Sequence, residues 1–239
     1  MDEKLHQTYR RIEKTHWWFV GRRQLALDFL EKQKPGADIL DFGCNAGFLV
    51  DFLRQRGWRT QGCDKSADAI AFGRAQGITD LRVSDTDSLP FSDEQFDAVF
   101  CLDVLEHLAD DRIGMAEIRR ILKPGGQALI TVPAFKFLWG LQDKVSHHFR
   151  RYRLKDLKKL AGQKGLKIKR ASYFNFFLFL PIALARFWQK ISKPRRISDF
   201  ELNNSFINWL FKTIFLGEIK LLRHFYFPWG VSIFIVLQK

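Results

Sequence analysis

The stretch ILDFGCNAGFLVDFL, residues 39–53, places glycines at 43 and 47 between an apolar run and a renewed apolar, helix-like pattern. Without a Cβ, Gly43 and Gly47 can bring backbone N–H groups close to a ligand. The spacing is not that of a dinucleotide cradle, because Gly43, Asn45 and Phe48 occupy the three glycine positions of G-x-G-x-x-G. Two acids follow along the chain. Asp64 is placed to hold both hydroxyls of a ribose, and Asp85 to accept from an adenine amine. Either acid alone reads equally as a helix cap; their order and spacing make them a set.

Those residues need a scaffold that brings them to one edge, and the patterning supplies it. DILDFGC (38–44), WRTQGCD (58–64), TDLRVSD (79–85), FDAVFCLD (96–103) and QALITVPAF (127–135) read as buried strands. Helical segments separate them: GFLVDFLRQRG, SADAIAFGRAQG with Ser66 as cap, and VLEHLADDRIGMAEIRRIL. KPGG (123–126) is expected to turn the chain into the fifth strand. Alternating strands and helices with short connections predict parallel βαβ units in a doubly wound α/β sheet. In such a sheet ligands bind beyond the carboxyl ends of the strands, where Asp41, Gly43, Asp64, Asp85 and Cys101–Asp103 fall. A helix over 5–32 precedes the sheet, a basic helix over 153–165 and a sixth strand over 166–174 follow it, and GVSIFIVLQK closes the chain as the last strand.

The 239 residues suit one domain with a sizeable insertion. Residues 1–135 carry 18 Lys+Arg and 21 Asp+Glu, a balance of −3, whereas residues 136–239 carry 21 and 5, a balance of +16. Such asymmetry suits a nucleic acid, an anionic membrane surface or a phosphorylated substrate, with a merely solvated basic face as the plainer reading. Cys44, Cys63 and Cys101 are scattered and odd in number, so neither a zinc site nor a disulfide framework is expected. The charged start MDEKLHQTYRRIEK is not a secretory signal, and the expectation is a cytoplasmic location.

Taken together, DFGCNAG, GCD, SDTDSLPFSDEQFDAVFCLDVLEHL and ILKPGGQALITVP resemble the class I S-adenosylmethionine-dependent methyltransferases over residues 38–133. The resemblance implies a Rossmann-like seven-stranded sheet whose last strand is antiparallel, and S-adenosyl-L-methionine as cofactor. It implies that Asp41 and Gly43 lie beside the amino-acid part of the cofactor, with Cys44 nearby; that Asp64 binds ribose, with Lys65 on the cofactor side; that Asp85 and Thr86 bracket adenine; and that Leu102 floors the site. The family's middle glycine is Asn45 here, a residue type that tolerates positive φ, so the loop is expected to survive. Glu106 and His107 are expected to orient a helix, and Cys44 and Cys101 to be small semi-buried residues.

HWWFVGRR (16–23) resembles a segment that precedes the sheet in some of these enzymes. It reads as a lid in which Trp17 or Trp18 excludes water and Arg22 or Arg23 meets the cofactor carboxylate; a core aromatic pair with solvated arginines is the alternative. LWGLQDKVSHHFRRY (138–152) follows the fifth strand and resembles a branch linked to lipid, quinone or glycan metabolism. His148 is the first candidate for general base with Asp143 as its orienter, His147 the alternate, and Trp139, Arg150 and Arg151 the substrate side. His148 could equally bond loop backbone.

Residues 174–229 hold 15 aromatic residues, and Ala171–Ala185 is an uncharged run of only 15 residues, too short to span a bilayer. On a helix over 203–225, Phe206, Leu210, Ile214 and Leu221 share a face opposite Lys212 and Arg223, and KPRRIS adds a basic cluster. An apolar face with basic flanks suits an anionic membrane surface; a cap over the sheet is the other reading. The expected layout is a single domain: a helical lid (1–34), a cofactor-binding core (38–135), an acceptor-side segment (136–175), a basic aromatic helical insertion (176–229) and the last strand (230–239). The expected activity is methylation, on oxygen rather than nitrogen, of a lipid-linked, isoprenoid, quinone or glycan-type acceptor at the inner membrane face, without a metal. A nucleic-acid methyltransferase is the alternative, weakened because CLDVLEH stands where an N/D-P-P-Y/F motif would; a non-catalytic cofactor-binding protein is a further one.

Overall fold

A computed structural model of the protein describes residues 12–31, 33–34, 36–85, 88–192 and 204–239. Seven strands form one sheet in the order β3-β2-β1-β4-β5-β7-β6. They are β1 (Asp38–Phe42), β2 (Arg59–Asp64), β3 (Leu81–Val83), β4 (Phe96–Leu102), β5 (Leu122–Pro133), β6 (Lys167–Phe174) and β7 (Ser232–Gln238). β1 to β5 pair in parallel, and β7 runs antiparallel between β5 and β6. The helices are α1 (Trp17–Leu30), α2 (Phe48–Arg54), α3 (Ala67–Ala75), α4 (Asp111–Ile121), α5 (Leu141–Val145), α6 (Leu154–Gln163), α7 (Phe179–Ser192) and α8 (Ser205–Leu222).

The apolar runs explain the layering. β4 is buried almost end to end, as a strand covered on both faces must be. On one face Met115, Ile118 and Ile121 of α4 and Leu157 and Leu160 of α6 pack against Val99, Ile130 and Ile235. On the other, Leu25, Phe29 and Leu30 of α1, Leu53 of α2 and Phe215, Ile219 and Leu222 of α8 pack against Ile39, Phe100 and Leu129. The crossover places α1 and α8, from opposite ends of the chain, side by side. Gly21 makes this approach possible, since a Cβ there would lie 2.1 Å from the Phe215 ring.

Several boundaries differ from the expectations. α1 begins at Trp17, not residue 5, because His16 accepts at Nδ1 from Trp18 N and starts the helix there. The helix expected over 104–122 is a 3-10 turn at Leu105–His107 followed by α4, which Asp110 caps by accepting from Arg112 N. KPGG does turn the chain, but inside β5: Leu122 pairs Phe96 and Gln127 pairs Ala98, so the intervening residues bulge out. On α8 the buried residues are Phe215, Glu218, Ile219 and Leu222, whereas Phe206 and Leu221 of the proposed face are exposed. The KPRR cluster and Thr86 lie outside the described residues.

Candidate functional site

A cavity of about 1460 Å³ lies beyond the carboxyl ends of β1, β2 and β4. That exceeds the roughly 300–1,000 Å³ of an ordinary small-molecule pocket, so there is room for two ligands. At one end, Asp41 and Asp64 sit with the loop after β1 between them. Asn45 stands at φ 49, in the left-handed region, and its N–H donates to Asp64 Oδ2 at 2.8 Å. Ser66 N donates to Asp64 Oδ1 at 2.9 Å. Both carboxylate oxygens are thereby oriented, each with a lone pair still free for a diol. Ser84 and Phe72 complete this end.

The glycines act differently from the expectation. Gly43 (φ +80) would place a Cβ 2.3 Å from Val104 Cγ2, and Gly47 (φ +80) would place one 2.6 Å from Leu81 Cδ2. Their missing side chains make room for packing and for positive φ, and Gly47 does not line the cavity. All three cysteines are buried, and burial pushes the Cys63 thiol up to about 12 and those of Cys44 and Cys101 well above the ordinary range. They are inert protonated thiols at neutral pH.

α1 closes the cavity's flank. Trp18 stacks between Phe174 and Phe215, with ring centroids 5.9 and 5.8 Å away, while an edge faces the cavity. Arg22 enters the cavity and reaches Asp103 Oδ2 at 3.1 Å, and its Nε has no partner among the described residues. Arg23 turns away, donating to the carbonyls of Glu13 and Lys14. Burial raises Asp41 to about 7, against the attraction of Arg22, and raises Glu13 to about 8.

The far end is organised by Asp143, which is fully buried. Its carboxylate accepts from Gly140 N at 2.7 Å, from Arg151 at 2.7 and 3.0 Å and from Arg186 of α7 at 3.2 Å, and lies 3.0 Å from His148 Nδ1. Burial would raise its pKa, but His148 and Arg151 outweigh that and hold it well below the carboxylate range. A carboxylate at Nδ1 makes that nitrogen the protonated one and leaves Nε2 its lone pair. The His148 ring meets His107 edge-on at 4.5 Å. Glu106, expected only to orient a helix, lines the cavity, is fully buried, and has no partner for either oxygen among the described residues. Ligand atoms of Glu106, His107 and His148 lie within 4.8 Å of one another, so a group able to hold a metal ion is present where none was expected.

A family model described as a methyltransferase domain matches residues 40–130, which span the loop after β1, Asp64 and the EH pair. The chain belongs to the class I S-adenosylmethionine-dependent methyltransferases. The methyltransferase is 35% identical over 122 residues to a Bos taurus protein named "Probable tRNA methyltransferase 9B", covering 50% of this chain and 25% of that one. It is 28% identical over 155 residues to the ubiquinone biosynthesis O-methyltransferase of Pseudomonas aeruginosa, covering 56% and 66%. The chain thus spans only a quarter of the length of the first of these relatives. Among solved structures, a chain from a complex containing the Haloferax volcanii Trm112 methyltransferase activator aligns over 97% of this chain and 93% of its own, at TM-score 0.63 and 20% identity. Haemonchus contortus phosphoethanolamine N-methyltransferase 2, solved with S-adenosyl-L-methionine, covers 91% and 52%, at TM-score 0.59 and 19% identity. Both structural likenesses concern the fold.

The residues at the β1–β2 end fit the family's cofactor, S-adenosyl-L-methionine. Asp64 offers a diol acceptor, the buried acids Asp41 and Glu13 suit an ammonium, and Arg22 offers an unpartnered Nε to a carboxylate. Of the residues expected at the site, Asp41, Gly43, Cys44, Asn45, Asp64, Lys65, Leu102, Trp18, His148 and Arg151 line one cavity, with His147 beside them. Asp143 stands directly behind His148 and Arg151. Asp85 is exposed and does not line the cavity; Ser84, one residue earlier, does. Trp139 and Arg150 are likewise not in the wall, and Arg150 is held by the carbonyls of Leu108 and Ala109 and by Asp111. The sequence reading missed Glu13, Asp103, Asn175 and Arg186. Arg186 lies in the insertion, 43 residues from Asp143, with no local spacing to mark it.

Proposed function

We propose that this methyltransferase acts on a hydroxyl of a lipid-linked, isoprenoid, quinone or glycan-type acceptor presented at an anionic membrane surface. The observation that carries this reading is the double character of α7 and α8. Their inner sides wall the cavity with Pro181, Ile182, Ala185, Ile207 and Phe211. Their outer sides expose Leu180, Leu184, Phe187, Trp188, Phe206 and Trp209 at 55–68%. An apolar outer face continuous with an apolar cavity wall suits an acceptor that leaves its tail in lipid. No helix among the described residues is long and apolar enough to cross a membrane, which fits attachment at a surface.

Within the cavity the chain has four tasks. Asp64 and Arg22 hold the two ends of the cofactor, Trp18 and Phe211 exclude water, and Arg151 keeps His148 and Asp143 in register. His148, with Nδ1 on Asp143, presents Nε2 as acceptor for the hydroxyl proton. The cofactor supplies an already activated methyl on a sulfonium, so positioning and proton removal are what the protein adds. A second reading is RNA methylation, favoured by the tRNA methyltransferase 9B relatives and the +16 balance of residues 136–239.

Radiolabelled methyl transfer from S-adenosyl-L-methionine into lipid, RNA and small-molecule fractions of a cell extract distinguishes them. Label in lipid, with flotation on anionic vesicles, is the expected result. Label confined to RNA, with no flotation, refutes the membrane reading in favour of the second. Unchanged turnover of His148→Gln between pH 6 and 9 removes His148 as base.

A further inference from the structure

Glu106, His107 and His148 come from two segments more than forty residues apart, yet converge on one wall of the cavity. Glu106 is fully buried, and neither oxygen has a partner among the described residues. A buried carboxylate without a donor is costly unless a cation completes it. Each histidine is prepared for the same task. His148 is fixed at Nδ1 by Asp143 at 3.0 Å, and His107 by the Ser146 backbone carbonyl. An outer hydrogen bond of this kind turns the other ring nitrogen, with its lone pair, inward. Burial lowers His107 to about 3, so it is neutral at physiological pH.

We propose that Glu106, His107 and His148 hold a divalent transition-metal cation, and that the acceptor binds this ion through two neighbouring oxygens. Two imidazoles and one carboxylate suit Zn²⁺, Mn²⁺ or Fe²⁺ better than Mg²⁺ or Ca²⁺. Ligand bonds of about 2.0–2.2 Å require donors closer than the present 4.8 Å limit, a side-chain adjustment of about 1 Å. Three ligands from the protein leave coordination positions open on the cavity side. A catechol or vicinal diol fills two of them, whereas a lone hydroxyl fills one. With the ion in place, His148 Nε2 is a ligand and not the proton acceptor. The hydroxyl then loses its proton to water because the cation lowers its pKa. The oxygen lone pair forms the new O–CH3 bond as the S–CH3 bond breaks, and that electron pair stays on sulfur.

Ion binding is independent of the methyltransferase reading; only the role of the acceptor rests on it. Full-length protein dialysed against EDTA is titrated with Mn²⁺ and Zn²⁺ by calorimetry, and with Co²⁺ by visible absorption. The expected result is one ion per chain, weakened at least tenfold by Glu106→Gln and by His107→Gln, while the thermal shift with S-adenosylhomocysteine is kept. Should Glu106→Gln fail to fold, His107→Gln and His148→Gln decide. No binding at millimolar ion, or binding that neither substitution weakens, overturns the site. Binding of the ion without any shift by S-adenosylhomocysteine upholds the site and instead overturns the cofactor reading. In the Mn²⁺-loaded protein catechol is expected to bind at least tenfold tighter than phenol; equal affinity overturns the two-oxygen acceptor.

Discussion

Replacing Asp143 by alanine removes one carboxylate and strands two guanidinium groups. Arg151 is 3% exposed and Arg186 12%, and Asp143 is the acidic partner recorded for both. Breaking a buried ion pair from one side costs about 3–5 kcal/mol, because the remaining charge stays desolvated. At about 2–4 °C per kcal/mol for a chain of this size, the melting temperature should fall by about 6–20 °C. Arg186→Met should cost much less, about 1 kcal/mol, since the two-pronged contact of Arg151 with Asp143 survives it. It should also recover part of the Asp143→Ala loss in the double variant, because it removes one stranded charge. Urea unfolding at pH 7 of the wild type, both single variants and the double variant measures each term. The sign with pH is fixed as well. The folded pKa of Asp143 is depressed, so its contribution is present above the unfolded value of about 3.9 and lost as pH falls toward its folded value. A loss below about 1 kcal/mol for Asp143→Ala would refute the view of this carboxylate as the charge centre of the acceptor end.

Three further outcomes are expected. Asp41, raised by burial to about 7, must release its proton to meet an ammonium, so S-adenosylhomocysteine affinity should rise about tenfold or more from pH 5.5 to 7, below the titration of the ligand's own amine; calorimetry checks this, and Asp41→Asn should flatten the profile. For the protein without ligand the sign reverses: the raised pKa stabilises the fold below about pH 4, and that contribution is lost as pH rises through about 7. Asn45→Gly should keep cofactor affinity within about tenfold, whereas Asn45→Val, forced to φ 49, should lower it severely by the same titration. Arg22→Ala should weaken S-adenosylhomocysteine binding at least tenfold and Arg23→Ala should not, since only Arg22 enters the cavity.

The nucleoside end was legible because parallel strands deliver their carboxyl ends to one edge, so short-range spacing around Asp41, Asn45 and Asp64 already implies proximity. The same logic failed by a single residue at Asp85. Successive side chains alternate across a strand end, and Ser84, not Asp85, faces inward. Glycine spacing marked the loop but not which way the absent Cβ pointed, so Gly47 was assigned to a ligand when it accommodates Leu81. At the acceptor end, Asp143, His148 and Arg151 lie within one short segment and were readable as a group. Their partner Arg186, and the Arg22–Asp103 pair that spans 81 positions, depend on long-range packing that no local pattern encodes. Glu106 was seen but undervalued, because the sequence shows a charge and not the lack of anything to satisfy it.

The pairing of α1 with α8 bears on how the protein is made. Trp17 N donates to Asn208, Trp18 stacks on Phe215, and Arg223 grips Asp28 across 195 positions. A nascent chain that has left the ribosome only as far as residue 200 owns every strand of the nucleoside end, yet the first helix has nothing to lean on. Its tryptophans must wait, exposed, for nearly the whole of translation. Loop closure over such a span is slow, so newly made molecules should become competent to retain cofactor only after release, and early termination near residue 200 should yield a species that chaperones recognise by its amino-terminal aromatics.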